Sequence, residues 1–194
     1  MKFGSVPIAE AAGATAVHSI RQGDFVLKKG TLIGPAEVAA LRAAGVKEIT
    51  VARLDSGDVS EDQAAADIAA AIAGDGVRTD RAFTGRCNLF AESAGILVVD
   101  RDAVDALNRI DEAVTLATLS AYKPVVEGEM IATVKIIPFA VSKSARDQAV
   151  AAAAKGRPVI RVAPYKLSKI GVVSTLLPGL APKVIEKTLK ITAA

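Results

Sequence analysis

Residues 130–141 read MIATVKIIPFAV and carry the clearest strand pattern of the chain. Apolar and β-branched side chains dominate the stretch, which is typical of a strand that packs on a core. Pro138 interrupts it, and a proline inside a strand pattern indicates an edge, a bulge or the end of the strand. We therefore predict a strand whose regular part is broken near Pro138.

The elements on either side of this strand alternate between helix and strand. Ser142 or Ser144 is placed to cap a helix that runs to about Lys155. Further strands are predicted at PVIRVAPY (158–165) and KIGVVSTLLPG (169–179), and a last helix starts near Pro182. Such alternation favours an α/β layered domain.

The same alternation holds upstream of residue 130. Gly95 precedes ILVVD (96–100), a near-continuous apolar run that suits a buried strand. Asp102 is predicted to cap a helix over DAVDALNRIDEAV (102–114). Ser60, with Gln63 three positions later, predicts a capping box at the start of another helix.

The first part of the chain predicts a smaller, strand-rich unit. ATAVHSIR (14–21) and DFVLKKGTLI (24–33) read as strands joined by a turn at Gly23. A helix follows from Pro35 to a stop at Gly45, and KEITVARL (47–54) reads as a strand. The fold class is therefore α/β, with a small strand-rich N-terminal unit over 1–75 and an alternating strand/helix layered domain over 76–194. The boundary is placed at Gly74-Asp75-Gly76.

Composition excludes several classes of protein. Aromatic residues make up 4% of the chain and Trp is absent, which argues against a stacking platform for nucleic acid. The single Cys cannot form an intramolecular disulfide, and one His with one Cys excludes the usual zinc sites. No apolar run is long enough to span a bilayer, and no signal core opens the chain. We expect a cytoplasmic protein with no membrane, metal or covalent cofactor.

Charge is distributed unevenly along the chain. Segment 54–80 holds seven acids and one base, whereas segment 151–194 holds eight bases and one acid. The basic segment suits an anionic ligand, a nucleic acid or an acidic partner surface. The alternative is ordinary solvated lysines on helix and loop surfaces. The two segments either neutralise each other within one monomer or form complementary patches for a homo-oligomer or for docking a following domain, and we expect the second arrangement.

No catalytic constellation is evident. His18 sits in an alternating strand pattern without a nearby Ser or Cys partner, and it reads as a structural residue or a bystander. Cys87 reads first as a small buried residue, although the flanking Arg86 is placed to lower the pKa of its thiol. The chain contains no glycine-rich nucleotide loop and no nucleophile elbow.

Two clusters carry the side chains that anion recognition needs. In the first, Thr84, Arg86 and Asn88 flank Gly85, which combines a flexible backbone with a guanidinium and two short polar groups. In the second, Ser174 and Thr175 precede Pro-Gly and a helix, so backbone N–H groups there suit a phosphate. The alternative for both clusters is a plain polar turn. We take Thr84, Arg86, Asn88, Ser174 and Thr175 as candidate ligand-binding residues.

Residues 20–54, about a fifth of the chain, resemble a segment of the molybdopterin molybdotransferases. The matching residues are Gly23, Leu27, Gly30, Thr31, Pro35, Leu41, Gly45, Val46, Val51 and Arg53. Nearly the whole chain, including TGRCNL (84–89), LNRIDEAVTLATL (107–119) and VKIIPFAV (134–141), is similar to a bacterial group. In that group a molybdopterin-binding region precedes a nucleotidyltransferase domain.

The resemblance implies a molybdopterin-binding module of molybdenum-cofactor biosynthesis. Molybdopterin would be its ligand, and a fused or separate nucleotidyltransferase domain its partner. LDSGDVSED (54–62) replaces the Thr-Gly-Asp-Glu loop of the molybdotransferases, and the glycine-rich signature of the nucleotidyltransferase is missing, so the chain reads as an incomplete enzyme. The alternative is a structural or interaction module that docks a catalytic domain or a second subunit.

The last helix predicts that the natural chain continues beyond Ala194. PKVIEKTLKITAA (182–194) is an amphipathic pattern that stops without Gly, Asn or Pro. For a truncated helix we expect its apolar residues Val184, Ile185 and Leu189 to be covered by a neighbouring molecule or left partly exposed.

Overall fold

The structure is a computed structural model that describes residues 1–153, 157–167, 169–175, 178–179 and 181–192. The chain divides into two compact units, Met1–Pro164 and Tyr165–Ala194. The predicted division after residue 75 falls inside the first unit. The division after residue 75 therefore stays a prediction.

The N-terminal part of the first unit is strand-rich, as expected. Its elements are β1 (Lys2–Pro7), β2 (Thr15–Ala16), β3 (Ile20–Gln22), β4 (Phe25–Leu27), α1 (Pro35–Ala43) and β5 (Glu48–Arg53). β1, β5 and β2 form an antiparallel sheet in that order, and β3 and β4 form a hairpin. Gly23, with a φ of 60°, closes the hairpin, and Gly45, with a φ of 77°, follows the end of α1.

A small core fills this part of the unit. It is built from aliphatic side chains of the sheet, of α1 and of the loops between them: Ile8, Ala11, Ala14, Ala16, Leu27, Ile33, Leu41, Ile49 and Val51. The molecule thus gathers an apolar cluster within the first 51 residues, although the cluster belongs to the larger compact unit.

The remainder of the first unit is a layered α/β arrangement. Its elements are β6 (Asp58–Ser60), α2 (Glu61–Ile72), β7 (Val77–Thr79), β8 (Arg86–Ala91), β9 (Gly95–Val99), α3 (Arg101–Asn108), β10 (Val114–Thr118), β11 (Pro124–Val125), β12 (Met130–Ile136), β13 (Ala140–Ser142), α4 (Lys143–Ala153) and β14 (Ile160–Pro164). One sheet has the order β10-β12-β8-β7 and a second has the order β11-β9-β14, while β6 pairs with β13. These strands pair antiparallel.

The larger core lies between the four-stranded sheet and the helices. α2 packs against β8, β12 and α4, while α3 packs against β10 and α4. The buried face of α2 is mostly alanine, which allows its backbone to approach the sheet closely. α2 precedes residue 75 but packs on strands that follow it. Helices layered on a sheet confirm the α/β class.

Local signals placed most helix starts correctly. Ser60 Oγ accepts from the Gln63 backbone N–H at 3.4 Å, as predicted. The Gln63 side chain instead donates to Asp67 at 2.7 Å, so within residues 1–153 it does not complete a capping box. Ser142, of the two predicted serines, caps α4 by accepting from Ala145 at 3.1 Å.

The predicted helix over 102–114 is wrong at both ends. Asp100, with extended backbone, is the cap and accepts from the Ala103 N–H at 3.1 Å, whereas Asp102 is already helical. The helix ends at Asn108, whose side-chain amide bonds both backbone groups of Leu116 in β10, at 2.7 and 3.0 Å. The chain becomes a strand at Val114–Thr118 because that segment pairs antiparallel with β12.

The strand prediction at 130–141 is confirmed, including its interruption. β12 ends at Ile136, and the chain resumes as β13 at Ala140, so Pro138 lies in the break. A register shift between Met130 and Ala132 adds a bulge at the start of β12.

The second unit contains the predicted last helix, α5 (Pro182–Thr192). No residue of Pro182–Thr192 is buried, and Val184 and Leu189 are exposed. The strand predicted at 169–179 is wrong for residues 169–175 and 178–179, which have no strand structure; 176 and 177 lie outside the described residues. A lone apolar run cannot satisfy its backbone N–H and C=O groups as a strand without a neighbouring strand.

Two further predictions concern the end of α4 and the length of apolar helices. α4 ends at Ala153, so the predicted helix end near Lys155 lies outside them. Among the described residues, no helix combines the length and the hydropathy required to cross a bilayer.

Candidate functional site

A strained two-residue turn connects the start of β8 to the preceding loop. Phe83 and Arg86 exchange backbone hydrogen bonds of 2.9 and 3.1 Å across it. Thr84 has a φ of 49° and Gly85 a φ of 69°. Positive φ at both central positions is the geometry of the tight type I′ hairpin turn, which suits Gly but is uncommon for Thr.

Three hydrogen bonds hold this turn against the rest of the fold. The Gly85 N–H donates to Asp62 Oδ1 at 2.7 Å, and Gly85 O accepts from the Ile136 N–H at 2.7 Å. Lys135 Nζ donates to Thr84 O at 2.7 Å. The turn is therefore fixed to α2 on one side and to β12 on the other, and this is what maintains Thr84 in an uncommon backbone conformation.

A cavity of about 270 Å³ opens beside the turn. Its lining comes from four separate parts of the chain: Lys29, Glu61, Thr84, Lys135, Ile137, Pro138 and Phe139. Pro138 and Phe139 belong to the break between β12 and β13, so the interruption of the strand creates one wall. Lys29 Nζ lies 5.2 Å from the centroid of the Phe139 ring, within the range of a cation–π contact.

The charges around this cavity are not balanced by ion pairs. Within residues 1–153, neither Lys29 nor Lys135 forms an ion pair at 4.0 Å or less. Burial raises the pKa of the Glu61 carboxyl, the neighbouring Asp62 raises it further, and the two lysines oppose this shift. Two ammonium groups that share the cavity with one carboxyl and form no ion pair within 4.0 Å among residues 1–153 are suited to receiving an anion.

Of the five predicted ligand residues, Thr84 lines this cavity, whereas Arg86 and Asn88 lie along β8 and are not among its lining residues. Arg86 lies directly across from Lys135 in the β8–β12 register. Asn88, two residues along β8, accepts a 2.9 Å hydrogen bond from the Thr133 hydroxyl through Oδ1. Because residues two apart on a strand share a face, Arg86, Asn88 and Lys135 lie on the solvent side of the sheet.

The other two predicted residues, Ser174 and Thr175, belong to the second unit. Both are exposed and neither lies in regular secondary structure. They therefore do not follow a strand, and the predicted strand–turn–helix phosphate site is not formed by the described residues around them.

The three charged residues of the cavity were not predicted as site residues from sequence. Glu61 lies in the first turn of the helix predicted after Ser60, and Lys29 lies within the predicted strand 24–33, so neither position indicated a binding residue. Lys135 carried a usable signal, because it lies between buried Val134 and Ile136 and must point away from the core. Its pairing with Arg86 required the register of two strands that are far apart in sequence.

Cys87 and His18 take no part in this site. Cys87 is buried, its Sγ lies 3.2 Å from Asp80 O, and burial raises the pKa of its thiol. Arg86 does not lower that pKa as expected, because adjacent residues of β8 point to opposite faces of the sheet. His18 is exposed in a bend between β2 and β3. The described residues include no cluster of three or more His, Cys, Asp or Glu residues suited to a metal ion.

Comparison with known proteins gives one match. Residues 5–53 match a family model described as a domain of unknown function, DUF8806. The matched residues include every buried residue of the small N-terminal core. The part of the chain that the family model describes is therefore the part that forms this core. No curated protein and no solved structure matches the chain.

Proposed function

We propose that this chain is a cytoplasmic molybdopterin-binding module of molybdenum-cofactor biosynthesis, and that the cavity beside Thr84 receives the phosphate of the pterin. The observation that carries the proposal is the convergence of Lys29 and Lys135 on one cavity without ion-pair partners among residues 1–153. The resemblance of residues 20–54 to molybdotransferases supplies the identity of the ligand.

The chemistry of the cavity suits a phosphate ester. Two ammonium groups and a threonine hydroxyl supply donors for phosphate oxygens, and such charge-assisted bonds are the strong ones. The Glu61 carboxyl in the same cavity has a raised pKa. Its ionised form is therefore less favoured here than in water.

The cavity is too small for the whole ligand. Sites for complete organic ligands are typically about 300–1,000 Å³, and this one is about 270 Å³. The phosphate would occupy it, and the pterin rings would lie on the rim. Ile137, a lining residue that is 60% exposed, provides apolar surface there, and Phe83, 73% exposed, precedes the lining residue Thr84.

The proposed role is binding rather than complete catalysis. The cavity contains one carboxyl and two lysines but no Ser or Cys nucleophile, and Cys87 is buried away from it. Chemistry on the pterin would fall to a nucleotidyltransferase domain, fused or separate, that takes the ligand from this module.

A second candidate is a structural or interaction module that docks a catalytic domain or a second subunit. The exposed side chains of Phe83, Ile137 and Leu32, each at least 60% exposed, favour it. Exposed apolar groups that form one contiguous patch are typical of surfaces that are covered by a partner. In this case the surface would bind protein and the cavity would bind no pterin.

Calorimetric titration of the chain with molybdopterin under anaerobic conditions tests the proposal. We expect binding that Lys135→Ala and Lys29→Ala each weaken about tenfold, as for the loss of one charge-assisted bond. Lys28→Ala is the matched control, because it removes the same charge one residue away from the cavity lining, and it should change affinity little. The absence of binding by the folded chain, or equal losses in all three variants, would overturn the proposal.

A further inference from the structure

Tyr122 is held in a backbone conformation that is rare for an aromatic residue. Its φ is 65°, and Thr84 is the other non-glycine residue with positive φ among the described residues. The Tyr122 N–H donates to Leu97 O at 2.7 Å, and the Leu97 N–H donates to Lys123 O at 2.9 Å. Both bonds tie the loop to β9, so the strain is maintained by the fold. Maintained strain of this kind clusters at functional sites.

Two neighbouring cavities share Tyr122 and Val99 as lining residues. The first has a volume of about 400 Å³ and includes Arg101, Asp105 and the hydroxyls of Thr118 and Ser120. The second has a volume of about 370 Å³ and includes Asp100, Arg157 and Arg161. Each is of the size that small organic ligands occupy.

The two cavities combine arginine guanidinium groups, an aspartate carboxylate and an aromatic ring. Within residues 1–153 and 157–167, none of the guanidinium groups of Arg101, Arg157 and Arg161 forms an ion pair. Guanidinium groups match phosphate oxygens in a bidentate geometry. The Tyr122 side chain is 74% exposed, so a flat ring can lie against it. Asp105 supplies an acceptor for hydroxyl groups.

We propose that the paired cavities around Tyr122 form a second ligand site, for a mononucleotide. The base stacks on the Tyr122 ring, the phosphate pairs with Arg157 and Arg161 in the second cavity, and the ribose hydroxyls donate to Asp105 in the first. A free phosphate needs no aromatic surface and a neutral heterocycle needs no arginine, so the combination indicates a ligand that carries both groups. This site shares no residue with the cavity beside Thr84 and does not depend on the pterin assignment.

Titration with GMP, guanosine and inorganic phosphate, followed by calorimetry and by backbone amide NMR shifts, tests this site. We expect GMP to bind more tightly than either fragment and to shift the amide resonances of the Tyr122 loop. Tyr122→Asn and Arg161→Gln should each weaken GMP binding about tenfold. Asn tolerates positive φ, so the first variant should keep the fold.

Two controls make the result decisive. Tyr165→Asn removes the chain's other tyrosine, in the second unit, and should leave GMP affinity unchanged. Lys135→Ala removes a lysine of the proposed pterin cavity and should also leave it unchanged, so failure of one proposal is distinguishable from failure of the other. GMP that shifts no resonance of the Tyr122 loop, or equal losses in Tyr122→Asn and Tyr165→Asn, would overturn the site.

Discussion

The backbone N–H of Gly85 donates a 2.7 Å hydrogen bond to the carboxylate of Asp62, 23 residues earlier in the chain. This bond joins the turn before β8 to the first turn of α2. A side chain at position 85 would meet this junction directly, because an added Cβ would lie 2.5 Å from Glu61 Oε2 and 2.7 Å from Ile136 O.

Gly85→Ala is therefore expected to destabilise the chain by about 2 kcal/mol or more, from the positive φ and the clash together. Gly23→Ala is the matched control. Gly23 also has positive φ, but an added Cβ there meets nothing within 4 Å, so its cost should stay near about 1 kcal/mol. Urea unfolding measures both. Equal costs for the two variants would show that the Gly85 site relaxes freely.

Glu61→Gln should raise the free energy of unfolding at pH 7. The folded chain raises the pKa of Glu61 above its ordinary value of 4.5, so the stabilising state is the protonated one, and its contribution is lost as pH rises through the folded pKa. The gain over the wild type should therefore appear above about pH 4.5 and vanish below it.

The matched control for that variant is Glu127→Gln, which removes an exposed carboxylate outside the cavity lining. Thermal unfolding between pH 3 and pH 8, about one unit below and several above the ordinary glutamate value, follows both variants. Glu61→Gln should in addition tighten anion binding, since it removes a negative charge beside Lys29 and Lys135. A pH-independent difference from the wild type would contradict the assignment.

The two aspartates at the start of α3 should differ in cost. Asp100→Ala removes the bond that Asp100 accepts from Ala103, so we expect a loss of about 1 kcal/mol. Asp102→Ala removes only a favourable charge near the helix start and should cost about 0.3–1 kcal/mol, less in high salt. Chemical unfolding of both variants at low and high salt measures the difference. A larger loss for Asp102→Ala would restore the cap predicted from sequence.

Cys87 should react slowly with thiol reagents in the folded chain. It is buried and its pKa is raised by burial, so little thiolate is available and access is blocked. The rate of reaction with a chromogenic disulfide at pH 8 should rise more than about tenfold on unfolding in urea. Since the chain has one cysteine, the signal reports this residue alone. Similar rates in the folded and unfolded chain would contradict the burial.

Self-association of the chain should depend on salt. The acidic segment 54–80 and the basic segment 151–194 carry opposite charge, and exposed charges are screened over about 8–10 Å at moderate ionic strength. We expect sedimentation to detect a dimer at about 0.01 M salt that dissociates at about 1 M salt. A monomer under both conditions, or a dimer that ignores salt, would exclude assembly driven by these charges.

The elements that were predictable from sequence depend on their own neighbours in the chain. Gly23 closes a hairpin and Pro35 begins α1 because backbone restrictions act within a few residues. The cap at Ser142 and the strand break at Pro138 follow from the same kind of local rule. Thr84, Arg86 and Asn88 were found as a cluster because they lie within five residues of one another.

The incorrect elements depended on distant partners. α3 stops at Asn108 and the chain then forms β10 by pairing with β12, which lies later in the chain, so the periodicity of the helix does not indicate where it stops. The run 169–175 has strand composition, but a strand exists only where a second strand satisfies its backbone groups. Composition therefore indicated the propensity, and the presence of a partner decided the structure.

The amino-acid sequence by itself determined the α/β class, most of the turns and caps, and the polar turn at Thr84. Only the tertiary structure decided that Lys29, Glu61 and Lys135 surround that turn, since they are separated by at least 32 residues and no local rule relates them. The β8–β12 register placed Lys135 across from Arg86, and the packing of α2 placed Glu61 beside Gly85. A cavity forms where parts of the chain that are distant in sequence come together in space. Burial of the core that these parts share holds them together.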